Sequence, residues 1–133
     1  MALMCEITVQ DKTLIVYNAH LESRGSDELR IRQLSEILAD IGQRPAKMPV
    51  LIAGDFNFDL SRGDAVPLMA SAGIHNPFAS LDGCKTILKS RNGKPRAIDW
   101  VLTRGALAAC CPAILDSVSA SDHFPLIVEL HLQ

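Results

Sequence analysis

Apolar and polar side chains alternate over residues 4–9. Cys5, Ile7 and Val9 share one side there and Glu6 and Thr8 the other, a period that predicts a half-buried strand. Gln10, Asp11 and Lys12 read as a hairpin turn into a second strand over residues 13–21. From Ser26 the period becomes helical. Ile31, Leu34, Ile37, Leu38 and Ile41 fall on one face, Ser26 or Asp27 caps the start, and Gly42 and Pro45 end it. Residues 50–53 form a short unbroken apolar run between Pro49 and Gly54, the pattern of a strand buried on both faces. A polar loop over 55–64 leads to a short helix over 65–72 closed by Gly73. Residues 74–95 carry Pro77, Gly83 and Gly93 and read mainly as loop, with a short strand near 86–88. Residues 97–103 form a strand, 110–119 fit no single class, and 124–132 close the chain as a strand with Pro125 near its start. Interleaved strands and helices predict an α/β or α+β protein with a mixed sheet.

Composition narrows the class. A chain of 133 residues, 48% hydrophobic, suits one folded domain and excludes a disordered one. The formal net charge of −2 argues against a broad, non-specific nucleic-acid footprint. Cys5, Cys84, Cys110 and Cys111 show no C-x-x-C spacing, and two are neighbours. Neither a structural zinc cage nor a disulfide framework is expected, and reduced thiols fit a cytoplasmic protein. No apolar run approaches the roughly 20 residues of a transmembrane segment, and residues 1–10 lack the pattern of a signal peptide.

Candidate chemistry lies where polar residues interrupt apolar strands. In the strand over 13–21, Leu14, Val16, Asn18 and His20 share one face, which turns polar at its carboxyl end. That pair also suits a strand leaving the core for solvent. Asp55 and Asn57 follow the buried run 50–53. If the backbone stays extended they point the same way at the strand's carboxyl edge, a usual ligand position in α/β proteins. Their oxygens suit Mg²⁺, Mn²⁺ or Ca²⁺, and Gly-Asp and Asn equally suit a turn. Asp99 sits in Ala-Ile-Asp-Trp-Val-Leu, where an ionised carboxylate needs a cation, a metal or an imidazole. Ser121-Asp122-His123 precedes the last strand, and a His with a carboxylate partner makes a general-base dyad. His75 and His131 have no comparable context and are taken as structural.

Taken in order, N-x-H-L-E-S, R-x-x-Q-L, A-G-D-F-N, I-D-W-V and S-D-H-F-P-L resemble the endonuclease/exonuclease/phosphatase superfamily. The stretch His20-Leu21-Glu22-Ser23 is most similar to tyrosyl-DNA phosphodiesterases of the second type and bacterial relatives. The resemblance implies a four-layered, DNase I-like α/β sandwich and divalent-metal-dependent phosphoester hydrolysis with Mg²⁺ or Mn²⁺. By motif, His123 is the general base or an electrostatic partner of the attacking water, and Asp99 orients it. Asp55 and Asn57 position the nucleophile and steady the transition state, Asp122 approaches the metal, and His20 with Asn18 binds the scissile phosphate. Asp55 and Asn57 are further candidate metal ligands.

All these motifs belong to the second half of the family's domain, and the chain is about half the usual length. The expectation is therefore one mixed-sheet half of the sandwich over residues 1–133, with the amino-terminal half absent. The family's first-half Asn and metal-binding Glu have no counterpart here. An uncovered sheet face is then expected, and with it a fragment or a homo-oligomer. The other reading is a non-catalytic remnant acting through self-association or a partner chain. A zinc hydrolase built on His20 and His123 is set aside, because no H-E-x-x-H spacing is present. The substrate stays open among nucleic acid, inositol phosphates and phospholipid headgroups. Lys85, Lys89, Arg91, Lys94 and Arg96 give one loop a local positive charge that steers a polyanion or is merely solvated.

Overall fold

The computed structural model describes residues 1–81, 83–88 and 93–133. Lys89 and Arg91 of the basic loop lie outside these residues. Strand β1 (Ala2–Val9) turns through Gln10 and Asp11, at φ 50° and 61°, into β2 (Lys12–His20). Two successive left-handed residues make the turn whose twist suits a hairpin. Helix α1 (Asp27–Gly42) starts at Ser26, whose hydroxyl accepts the Leu29 N–H. Strand β3 (Val50–Asp55) pairs parallel with β2, and β4 (Asp99–Arg104) pairs antiparallel with β3. The four-stranded sheet thus runs β1-β2-β3-β4. Helix α2 (Ala65–Ser71) and a 3-10 turn (Pro77–Ser80) separate β3 from β4. Strands β5 (Leu107–Ile114) and β6 (Leu126–Leu132) form a separate antiparallel pair beside β4.

The core lies between the sheet and its helices. Ile15, Tyr17, Ala19, Val50, Ile52, Trp100 and Leu102 pack with Leu34, Ile37, Leu38 and Ile41 of α1. The Tyr17 hydroxyl donates to Asp40 and accepts from Arg44 Nε, tying β2 to the end of α1. Trp100 donates its indole N–H to the Phe58 carbonyl at 3.2 Å, so the buried ring keeps its polar atom paired.

Three expectations need correction. Strand β1 is not half-buried: residues 2–8 are all exposed. It is the sheet's edge, and a groove lined by Met1, Met4, Gln33 and Glu36 separates it from α1. Strand β3 is buried on one face only; Val50 and Ile52 meet the helices, whereas Leu51 and Ala53 are half-buried. The short strand expected at 86–88 is reduced to bridges from Ile87 to Arg96 and to His123. The ambiguous stretch at 110–119 holds the end of β5, through Ile114, and then leaves the sheet. Its register shifts between Cys110 and Ala113 and Cys111 is left-handed at φ 55°, which breaks the alternation a strand normally shows in sequence.

Candidate active site

Sheet register sets three polar side chains in one row. His20 of β2 pairs with Asp55 of β3, which pairs with Asp99 of β4. Paired residues on neighbouring strands share a face, here the one opposite α1. Along that face Leu14, Val16, Leu51, Ala53, Val101 and Thr103 are apolar or buried, and the polar row begins where β2 and β3 end. Asn18 lies on the same face, exposed. His20 Nε2 is 3.9 Å from Asp55 Oδ2.

The loop before β6 brings the fourth group. Ile87 bridges to His123, the Leu88 N–H donates to the Asp122 carbonyl, and the Phe124 N–H donates to the Thr86 carbonyl. These bonds hold the His123 ring with Nδ1 at 3.0 Å from each Asp99 carboxylate oxygen. Donor atoms of Asp55, Asp99 and His123 all lie within 4.8 Å of one another. Burial raises the Asp99 carboxyl above its ordinary range. The Thr86 hydroxyl and the His123 imidazole pull it back, and nearby Asp55 pushes it up again.

Thr86 is the residue that motif reasoning missed. It is fully buried, and its hydroxyl oxygen accepts the backbone N–H groups of Ile98 at 2.9 Å and Asp99 at 3.0 Å. It therefore fixes the entry into β4 as well as the carboxylate. Arg30 and Gln33 also gain a role beyond their motif. Arg30 Nε donates to the Glu22 carbonyl at 2.6 Å, and the Glu22 N–H donates to Gln33 Oε1 at 2.9 Å. Helix α1 thereby clamps the backbone just beyond His20.

Asp55 and Asn57 do not alternate along an extended chain, so the condition for their pointing together fails. Asn57 is left-handed at φ 57°. Its backbone N–H closes a turn on Asp55 Oδ1 at 2.8 Å, and its side-chain amide donates to the Leu21 carbonyl at 3.1 Å. The turn also receives Arg96, whose Nη2 lies 3.4 Å from the Asn57 carbonyl. Asp122 is exposed, accepts from Ser121 Oγ at 3.4 Å, and stands outside the Asp55–Asp99–His123 group. His75 pairs through its backbone with Thr103. His131 instead stands beside Cys110 and Glu129.

Two adjoining carboxylates at a strand edge suit Mg²⁺, which is commonly held by one or two carboxylates and completes its shell with water and phosphate oxygens. The donor set of Asp55 and Asp99 meets that requirement, with hard oxygens on two neighbouring strands.

Residues 3–123 match the Endonuclease/Exonuclease/phosphatase family. Among solved structures, D. rerio TDP2 complexed with single strand DNA product is 19% identical with a TM-score of 0.75, covering 98% of this chain and 61% of that one. An endonuclease/exonuclease/phosphatase from Beutenbergia cavernae is 21% identical with a TM-score of 0.73, covering 98% and 39%. A functionally unknown conserved protein from Enterococcus faecalis is 26% identical with a TM-score of 0.76, covering 99% and 56%. The chain thus spans between 39% and 61% of the length of these three solved chains. No curated protein matches it. The likeness places the chain in the DNase I-like α/β fold. No helix among the described residues is long and apolar enough to cross a membrane.

Proposed function

The chain belongs to the endonuclease/exonuclease/phosphatase family, and from that premise we propose that it hydrolyses a phosphoester with a water activated by the Asp99–His123 pair. The observation that carries this reading is His123 Nδ1 at 3.0 Å from both oxygens of Asp99. A carboxylate on Nδ1 fixes that nitrogen as the donor and leaves Nε2 to take a proton from water. The water oxygen then attacks phosphorus as the ester oxygen departs. In this reading His20 and Asn18 bind phosphoryl oxygens from the neighbouring strand, and Asn57 holds the turn that presents Asp55. Arg96 adds positive charge beside the same turn.

Asp55 and Asp99 would hold Mg²⁺ or Mn²⁺, and Asp122, outside that group on the adjoining loop, would approach the ion through water. Such an ion supplies electrostatic stabilisation of charge on the phosphoryl oxygens. D. rerio TDP2 with its single strand DNA product makes a nucleic-acid phosphoester the first substrate to test here. The exposed Lys85 and Lys94 support a polyanionic substrate, inositol phosphates and phospholipid headgroups included.

The test is hydrolysis of a chromogenic phosphodiester by the chain with Mg²⁺, with Mn²⁺ and with EDTA. Turnover is expected with either ion and not with EDTA, and His123→Ala should lower it about 10²–10⁴-fold. Absence of turnover in a folded sample sinks the reading. The exposed strand β1 then favours the second one, a non-catalytic module acting by association.

A further inference from the structure

We infer that Cys110, Glu129 and His131 form a binding site for Zn²⁺ on the outer face of the β5–β6 hairpin, separate from the Asp55–Asp99–His123 row. Register builds it. Cys110 pairs directly with Glu129, and His131 lies two residues further along β6, so all three share a face. Opposite His131 stands Ala108, whose methyl group leaves the imidazole room to lean toward the sulfur. Cys110 Sγ is 3.4 Å from His131 Nε2 and 3.8 Å from Glu129 Oε2.

Those separations match a metal's bite. Tetrahedral zinc with bonds of about 2.3 Å to sulfur and about 2.0–2.1 Å to nitrogen or oxygen sets sulfur roughly 3.6 Å from each of the other donors. All three donor atoms lie within 4.8 Å of one another. Thiolate, imidazole and carboxylate together select zinc over magnesium, which takes oxygen donors. Glu129 and His131 are exposed and Cys110 partly so, which leaves a path for the ion. The hairpin also carries, in its connecting loop, Asp122 and His123. An ion on the stem would fasten β5 to β6 beneath that loop.

Cobalt titration of the metal-free full chain tests this, because a thiolate ligand gives a sulfur-to-cobalt charge-transfer absorption that the carboxylate–imidazole row cannot produce. The band is expected to saturate at one ion per chain and to bleach when Zn²⁺ is added. It should vanish in Cys110→Ala and need at least about tenfold more metal in His131→Ala, which retains every thiol. No band, or a band unchanged in Cys110→Ala, overturns the inference. Alkylation of Cys110 by iodoacetamide gives a readout that needs no substitution. Zn²⁺ is expected to slow it at least tenfold, and equal rates with and without Zn²⁺ overturn the site.

Discussion

Asp99 occupies a position suited to an apolar side chain, and burial penalises its charge more than Thr86 and His123 relieve it. Its folded-state proton affinity is therefore raised. The stability it contributes is full below the ordinary carboxylate pKa of about 3.9 and is lost as pH rises through the higher folded value. Asp99→Asn removes that loss. In EDTA the variant should melt no lower than the parent at neutral pH and depend less on pH above about 4, while hydrolysis assayed separately with Mg²⁺ falls at least about 10²-fold. Melting curves across pH check this, and a large drop in Tm would make Asp99 chiefly structural. Thr86→Val should behave in the opposite way. It leaves the Ile98 and Asp99 N–H groups unpaired in the interior, at about 1–3 kcal/mol of stability, measurable by urea unfolding. The two residues differ in legibility for a physical reason. Asp99 interrupts an apolar run and announces its need for a partner, whereas the bonds of Thr86 run to backbone groups that every residue possesses.

Between elements, the site depends on how closely β2 and β3 approach. Gly54 is at φ 146°, and a Cβ there would sit 1.9 Å from the Ala19 carbonyl oxygen. Gly54→Ala must push apart the two strands that carry His20 and Asp55, and a cost above about 3 kcal/mol is expected. Gly63→Ala is the control. At φ 64°, with nothing within 4 Å of the added methyl group, it should cost only the left-handed strain of about 1–2 kcal/mol. Equal losses in chemical denaturation would show that close packing at Gly54 is unimportant. The Gly-Asp-x-Asn spacing was visible in sequence, as were α1 with a cap at Ser26 or Asp27, of which the structure uses Ser26, and the polar end of β2. What periodicity could not supply was the left-handed turn at Asn57. Nor could it show the shifted register at Cys111, because one out-of-step residue erases the alternation that marks a strand. The neighbours of His131 were hidden for a related cause, since Cys110 and Glu129 are brought to it by cross-strand pairing.

At the scale of the whole molecule, the outstanding surface feature is the edge strand. Residues 2–9 form β1, and the only charged side chain among them is Glu6; Leu3, Cys5 and Ile7 stand exposed on the face opposite α1. Folded proteins ordinarily protect such edges with lysine, proline or a covering element, because unpaired N–H and C=O groups beside apolar side chains recruit another strand. This strand holds no lysine or proline, none of the described residues covers its edge, and its residue types favour extended structure. A second copy can pair with it edge to edge, which would join the two four-stranded sheets and bring the two Leu3–Ile7 stripes together. Sedimentation velocity is accordingly expected to show a monomer giving way to a dimer as concentration rises. Leu3→Lys combined with Ile7→Lys places charge on the exposed face without touching the core and should hold the chain monomeric. Monomer at every concentration in the parent refutes the edge contact. A dimer that survives in the folded double variant moves the contact to another surface.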